Sequence, residues 1–103
     1  MIARNATLSD KHPGVLFVAS NSHPVDVGSS IAHLFRQQGR ATIQAIGPKA
    51  INQAIKALVC ATRYLALEDK HIGFIPSFHT TVIAGQERTA IRFEVLTRAN
   101  CRQ

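Results

Sequence analysis

Residues 41–63, ATIQAIGPKAINQAIKALVCATR, pass from a strand-like segment through Gly47 and Pro48 directly into a segment with helical periodicity. Proline is favourable at the first position of a helix, because the N–H that it lacks would have no intrahelical partner there. A strand that leads straight into a helix restricts the chain to folds that combine both elements around one core. The sequence therefore predicts an α/β protein.

The helix of this segment is predicted over residues 48–65, and its two sides differ in chemistry. At 100° per residue, one side collects mainly apolar residues, namely Ile51, Ala54, Ile55, Leu58, Thr62 and Leu65. The other side collects Lys49, Asn52, Gln53, Lys56, Cys60 and Arg63. We expect the first side to pack on the core and the second to present amide and ammonium groups.

The remaining elements follow from shorter patterns. A β-branched run over residues 14–20 predicts the first strand, and a helical repeat that ends at Gly39 predicts the first helix. Residues 71–84 and 88–98, joined by a turn at residues 85–87, predict a long hairpin. Pro76 predicts an edge position or a break in the first strand of that hairpin, because proline cannot donate to the ladder.

These elements predict a fold as well as a domain. We expect a two-layer α/β sandwich in which a four-stranded mixed sheet has two helices on one face, in the order βαβαββ. The 103 residues suffice for one domain, which we place at residues 14–98. Residues 1–13 are expected to form a flexible leader, since they lack apolar periodicity, and residues 99–103 a tail.

The location of the protein is predicted from what the sequence lacks. No segment reaches the roughly 18 to 20 consecutive apolar residues of a membrane helix. The N-terminal residues lack the apolar centre of a signal peptide. We therefore expect a cytoplasmic protein without membrane contact.

The charge of the chain is unevenly distributed. Twelve Lys and Arg residues oppose six Asp and Glu residues, for a net charge of +6. Between Asp26 and Glu68 there is no acid at all, although this interval holds Arg36, Arg40, Lys49, Lys56 and Arg63. Such an excess favours polyanionic partners through long-range attraction. The alternative is a basic surface that only contacts solvent.

Catalysis and metal binding find little support in the sequence. The acids are scattered, and no two histidines have the i, i+4 spacing that places two zinc ligands on one side of a helix. Cys60 and Cys101 are expected to be free thiols. Cys60 either has a pKa lowered by nearby cations or is a small residue in a packed contact. We predict a protein that is not an enzyme and that has no cofactor or metal.

Three separated stretches, IQAIGPKAINQAIKA, IPSF and GQERTAIRFEV, closely resemble the signature stretches of the stage V sporulation protein S family. The resemblance covers about residues 14–98. Gln44, Gly47, Asn52, Gln53 and Lys56 match positions that the family keeps, and residues 87–89 match its hairpin. The leader and the Pro48-Lys49 pair depart from the family pattern.

This resemblance implies a small cytoplasmic protein that takes part in the control of bacterial sporulation. It also implies a fold similar to that of Alba, a dimeric chromatin protein that binds DNA and RNA. A shared scaffold does not by itself determine function. What the resemblance implies is therefore a binding protein, whose site must be found among the residues of this chain.

The predicted nucleic-acid site follows from the polar side of the second helix. A helix N-terminus with nearby cations and amides suits phosphate, so we expect contacts to DNA or RNA from Lys49, Asn52, Gln53, Lys56 and Arg63, with Arg88 on the hairpin. A homodimer is expected. As the alternative to nucleic-acid contacts, the same side of the helix forms the dimer interface, which then contains Asn52, Gln53 and Cys60. A second alternative is that residues 47–52 bind a phosphate-bearing small molecule or that the chain binds a partner protein.

Overall fold

A computed structural model describes residues 6–9 and 12–101 of the chain. Its elements are β1 (Ala6–Ser9), β2 (His12–Val18), α1 (Pro24–Gln38), β3 (Ala41–Ala45), α2 (Pro48–Ala66), β4 (Ile72–Ile83), β5 (Gln86–Thr97) and a short 3-10 helix (Arg98–Cys101). The predicted strands and helices are present as β2, α1, β3, α2, β4 and β5. The two-layer α/β architecture with its βαβαββ order and mixed sheet is thus confirmed.

The sheet has the strand order β1-β2-β3-β5-β4. Among the described strands, only β2 and β3 pair in parallel, through the crossover that contains α1, and the other neighbours are antiparallel. β5 therefore lies between β3 and the edge strand β4, and Pro76 lies on that edge, as one of the two predicted options requires. The other option, a break, is wrong, since β4 is continuous across Pro76.

The structure differs from the sequence prediction at its N-terminal edge. Residues 6–9, within the predicted leader, form β1, which pairs antiparallel with β2 so that Ala6 lies opposite Val18. These four residues are too few to produce a periodic signal in the sequence. Residues 1–5, 10 and 11 of the predicted leader, and residues 102 and 103 of the predicted tail, lie outside the described residues.

Both helices pack on the same face of the sheet, and the core lies between the two layers. Its largest fully buried apolar side chains are Leu16, Ile31, Ile43, Leu58, Leu65, Val27 and Val95. The side of α2 that contacts the core consists mainly of alanines, with Ala54, Ala57 and Ala61 all buried. Such small side chains let α1 and α2 approach each other closely.

The β4–β5 hairpin extends well beyond the rest of the sheet. β5 pairs with β3 only over residues 91–95, whereas it pairs with β4 along its whole length. Residues 79–90 therefore form a two-stranded arm, which is the name used below. Its turn is formed by Ala84 and Gly85, whose φ angles are 52° and 76°, one residue earlier than predicted. Two positive φ angles in a two-residue loop are the geometry that suits the right-handed twist of a hairpin.

Candidate nucleic-acid interface

The N-terminus of α2 has no capping side chain. Gly47 occupies the cap position with φ 89° and ψ 155°, Pro48 follows it, and the first turn contains no acid. The N–H of Ile51 donates to the Gly47 carbonyl at 3.0 Å, whereas the N–H groups of Lys49 and Ala50 precede the first intrahelical bond. The positive end of the helix is therefore not neutralised by any nearby side chain among the described residues, and its orientation suits an anion.

Four polar side chains continue from this end along the exposed side of α2. They are Lys49, Asn52, Lys56 and Arg63, here called the basic row. At 100° per residue they fall within a sector of about 60°, and they span about 21 Å of the helix axis. All four are exposed, and none of these side chains makes a hydrogen bond or an ion pair with another residue in the described ranges.

Gln53 was predicted to belong to this site, but its amide is used within the fold. Its Nε2 donates to the carbonyl of Ser22 at 2.8 Å, which links α2 to the segment before α1. Gln53 is also only half exposed. We therefore assign Gln53 a structural role, and the sequence missed it because the partner is a backbone oxygen 31 residues away.

The alternative use of the polar side, as a dimer interface of Asn52, Gln53 and Cys60, stays a prediction, and the structure shows how far each of these side chains is exposed. Cys60 is half-buried against α1, where its Cβ lies 2.6 Å from the position that a Cβ on Gly28 would occupy. Of the three residues, only Asn52 is exposed. The helical wheel assigned Cys60 to the polar side because the wheel of a single helix cannot show which flank the neighbouring helix covers. Cys60 occupies the packed position that was one of its two interpretations.

Arg88 lies apart from the basic row. It pairs with Thr81 on the arm and shares a sheet face with Arg92, four residues further along β5, which is the face opposite the helices. Its side chain is exposed and has no hydrogen-bond or ion-pair partner in the part of the chain that the structure describes. The structure thus separates Arg88, on the back of the arm, from the basic row on the helix layer.

The outer face of the sheet contains a polar network that the sequence did not reveal. Nε of Arg92 donates to Oε1 of Gln44 at 2.6 Å, and Gln44 is almost fully buried. The hydroxyl of Thr42 donates to Glu94 at 2.7 Å. These pairs depend on the register between β3 and β5, in which Thr42 faces Glu94 and Gln44 faces Arg92. In the sequence, the alternation of Thr42 and Gln44 with apolar residues indicates that both side chains share one face of the strand. It does not identify Arg92 and Glu94 as their hydrogen-bond partners.

Several other cations are neutralised by acids. Arg36 contacts Glu68 through two nitrogens, with its NH2 group 2.6 Å from the carboxylate, and Lys70 lies 3.6 Å from the same group. The hydrogen bond from Arg36 lowers the pKa of Glu68 and the same bond raises the pKa of the guanidinium. Arg40 pairs with Glu94 at 3.3 Å. The basic row differs from these cations in having no such partner within the described ranges.

Two further properties bear on ligands. A pocket of about 250 Å³ lies beside the start of α2, and its lining contains no Lys or Arg: Phe17, Val18, Ala19, Ser20, Gln44, Ala45, Ile46 and Ala50. Within residues 6–9 and 12–101, His, Cys, Asp and Glu side chains form no group of three or more that could hold a metal ion.

No helix in the described part of the chain has the length and apolar content that crossing a bilayer requires.

A comparison with protein families identifies a match that covers most of the chain. The model of the family described as Stage V sporulation protein S (SpoVS) matches residues 14–98. The matched range extends from within β2 to the first residue of the 3-10 helix, so it contains both helices, the arm and the whole basic row.

Proposed function

The chain belongs to the stage V sporulation protein S family, which makes it a sporulation-related protein, and on this basis we propose that it binds nucleic acid. The contacts are mainly to phosphates, and the protein acts as a dimeric regulator or architectural protein rather than as an enzyme. The observation that supports this proposal most directly is the basic row, in which exposed cations have no acid beside them. Arg36, by contrast, is paired with Glu68.

The start of α2 adds a second kind of phosphate contact. Its first N–H groups point along the helix axis, and the helix dipole favours a negative charge at this end. Lys49 stands in the first turn, so that one phosphate can accept bonds from the backbone and attract the ammonium group. Asn52, one turn further, has an amide that can donate to phosphate or sugar oxygens.

Phosphate contacts of this kind do not distinguish one base sequence from another. Base-stacked recognition of single strands needs aromatic side chains beside the cations, and the basic row contains none. We therefore propose that the protein binds nucleic acid with little sequence preference, and that both duplex DNA and RNA are possible ligands.

The proposal is tested by titrating a labelled duplex with the protein at low ionic strength and following fluorescence anisotropy. The informative pair of variants is Lys56→Ala and Arg36→Ala, because each removes one exposed positive charge from a helix. Lys56 has no acid beside it, whereas Arg36 is paired with Glu68. We expect Lys56→Ala to weaken binding and Arg36→Ala to change it much less.

Two results would contradict the proposal. One is the absence of salt-dependent binding to duplex DNA, single-stranded DNA and RNA at low ionic strength. The other is an equal loss of affinity in the two variants, which would indicate only a response to net charge. In the first case the alternatives of a phosphate-bearing small molecule or a partner protein lead, and thermal-shift measurements with phosphate-bearing ligands become the next step.

A further inference from the structure

A pocket of about 500 Å³ lies where α1 and α2 end, and no residue of the basic row lines it. Its walls come from the last turn of α1, from the segment between α2 and β4, and from the junction of β5 with the 3-10 helix. Small-molecule sites usually enclose about 300 to 1,000 Å³. The volume of this pocket therefore suits a small organic ligand.

Backbone hydrogen bonds hold the three walls in place. The N–H of Gly39 donates to the carbonyl of Phe35 at 2.8 Å, which closes the end of α1. The N–H of Lys70 donates back to a carbonyl in the last turn of α2 at 2.9 Å. The N–H of Arg98 donates to the carbonyl of His71 at 2.8 Å and so joins the 3-10 helix to the segment before β4. The pocket is thus part of the folded backbone and does not depend on a ligand to form.

Part of the pocket wall is apolar. Phe35, Gly39 and Ala99 line it and have no polar side-chain atom. Phe35 is almost fully buried in the core, so its position is fixed by packing. A ligand that fills this part of the pocket has to present an apolar or aromatic surface to it.

Most of the charged side chains at the pocket already have partners. Arg36 contacts Glu68 through Nε and Nη2, and Nζ of Lys70 lies 3.6 Å from the same carboxylate. Oδ1 of Asp69 lies 3.1 Å from Nε2 of His71. With a neutral imidazole, these five residues carry two positive and two negative charges, which balance.

Arg98 is the cation that this balance leaves over. It lines the pocket, and its exposed side chain has no hydrogen-bond or ion-pair partner within residues 6–9 and 12–101. A guanidinium presents its N–H groups as a fork that matches the two oxygens of a carboxylate. A carboxylate brings one negative charge, whereas a phosphate monoester brings about 1.5 to 2 at neutral pH. The single unpaired cation therefore favours a carboxylate.

We propose that this pocket binds a small organic acid, with the carboxylate on Arg98 and an apolar or aromatic body against Phe35. Arg36 provides a second donor, because Glu68 occupies its Nε and Nη2 and leaves the N–H groups of Nη1 available. This inference goes beyond the proposed function and does not rest on it. The ligand is a free small molecule, and the site lies apart from the basic row.

Three ligands that share one ring system test the inference in the full chain without nucleic acid. They are naphthylacetate, the neutral naphthylacetamide and naphthyl phosphate, each titrated while the amide NMR spectrum is recorded. We expect naphthylacetate to bind with a dissociation constant in the millimolar range or below, as is usual for a ligand of this size. The amides of Phe35, Gly39 and His71 should shift most. The acetamide should bind at least about tenfold more weakly, because it lacks the charge that Arg98 recognises.

Arg98→Gln is the informative variant, and Arg88→Gln is its matched control. Both arginines are exposed residues of β5 or of the turn that follows it, and neither has a partner among the described residues, but Arg88 lies on the arm. Arg98→Gln should weaken naphthylacetate binding at least about tenfold and leave the acetamide unaffected, whereas Arg88→Gln should change neither.

A second variant approaches the same site with the opposite change of charge. Ala99→Glu adds an anion to an exposed lining position, where it should not disturb the core. It should weaken naphthylacetate binding and leave acetamide binding nearly unchanged. The amide spectra also show whether each variant is folded.

Several results would overturn the inference. They are the absence of shifts at the pocket with naphthylacetate, equal affinities for the acid and the acetamide, tighter binding of naphthyl phosphate than of the acid, and equal weakening by Arg98→Gln and Arg88→Gln. Displacement of the acid by duplex DNA would also overturn it, since Arg98 would then belong to the nucleic-acid surface. Conversely, a chain that binds the acid as expected but shows no salt-dependent nucleic-acid binding would retain this inference and refute the proposed function.

Discussion

Gly28 of α1 lies so close to Cys60 of α2 that a Cβ added to the glycine would come within 2.6 Å of the cysteine Cβ and within 2.9 Å of the Ala57 carbonyl oxygen. The separation of the two helices is therefore set by the absence of a side chain at one position. That separation in turn determines which residues of α2 remain exposed for the basic row. Helix packing and the proposed binding surface are thus linked through Gly28.

Gly28→Ala should destabilise the protein by about 1 to 3 kcal/mol, the usual effect of overpacking a core. In an exposed helix the same change would stabilise by up to about 1 kcal/mol, so the sign of the effect is diagnostic. Urea denaturation measures it. Ser29→Ala, at the exposed neighbouring position, is the control, and a stabilised Gly28→Ala variant would show that the helices are not packed this closely.

Gly47→Ala should destabilise more than Gly39→Ala. Gly47 has φ 89° and ψ 155°, a region that is almost restricted to glycine and that costs other residues about 1 to 3 kcal/mol. Gly39 has φ 73° and ψ 5°, in the left-handed region, where the cost for other residues is about 1 to 2 kcal/mol. Neither position has an atom within 4 Å of an added Cβ, so the comparison in thermal denaturation isolates backbone strain. The reverse order would contradict this geometry of the strand-to-helix joint.

The arm should become more stable when its turn residue is changed. Ala84 has φ 52°, which an Asn side chain tolerates better than Ala, and Gly85 follows it. Ala84→Asn should stabilise the hairpin by a few tenths of a kcal/mol up to about 1 kcal/mol. Ala84→Val should destabilise it, because β-branched residues are disfavoured at positive φ. Amide hydrogen exchange in β4 and β5 would measure both effects, and equal protection in the two variants would argue against this turn.

The contact between Arg36 and Glu68 predicts a pH dependence. The hydrogen bond from Arg36 lowers the pKa of Glu68 in the folded state. The contact therefore stabilises the folded protein fully above the unfolded pKa of about 4.3, and this stabilisation is lost as the pH falls through the lower pKa of the folded state. The melting temperatures of wild type and Glu68→Gln should therefore differ at neutral pH and converge in acid. A difference that persists at the lowest pH would show that the carboxylate charge is not the cause.

The elements of the fold could be predicted from sequence because each has a local signal. Pro48 after Gly47 sets the start of α2, and Gly39 ends α1 with the left-handed φ that was expected. β1 could not be predicted, because its four residues become a strand only by pairing with β2. A strand defined by its neighbour has no signature of its own.

The candidate site could be predicted only in part, for the same reason. Lys49, Asn52, Lys56 and Arg63 lie together on an exposed surface, because positions along one helix follow from its geometry. The role of Gln53 depends on a carbonyl 31 residues away, and the position of Arg88 depends on the register of β4 and β5. Relations between elements of this kind are not present in the spacing of residues along the chain.

The central claim, that the basic row contacts phosphates, is tested most directly by the salt dependence of duplex binding. Two triple variants each remove three cations: Lys49→Ala/Lys56→Ala/Arg63→Ala, and the control Arg36→Ala/Arg40→Ala/Lys70→Ala, whose cations pair with Glu68 or Glu94. For the first variant, the slope of log affinity against log salt should become shallower by roughly 0.9 for each phosphate that the protein no longer neutralises, and by twice as much if both copies in a dimer bind. The control should keep a slope close to that of wild type. Equal slopes in wild type and the basic-row variant, or an equal change in both variants, would contradict the account.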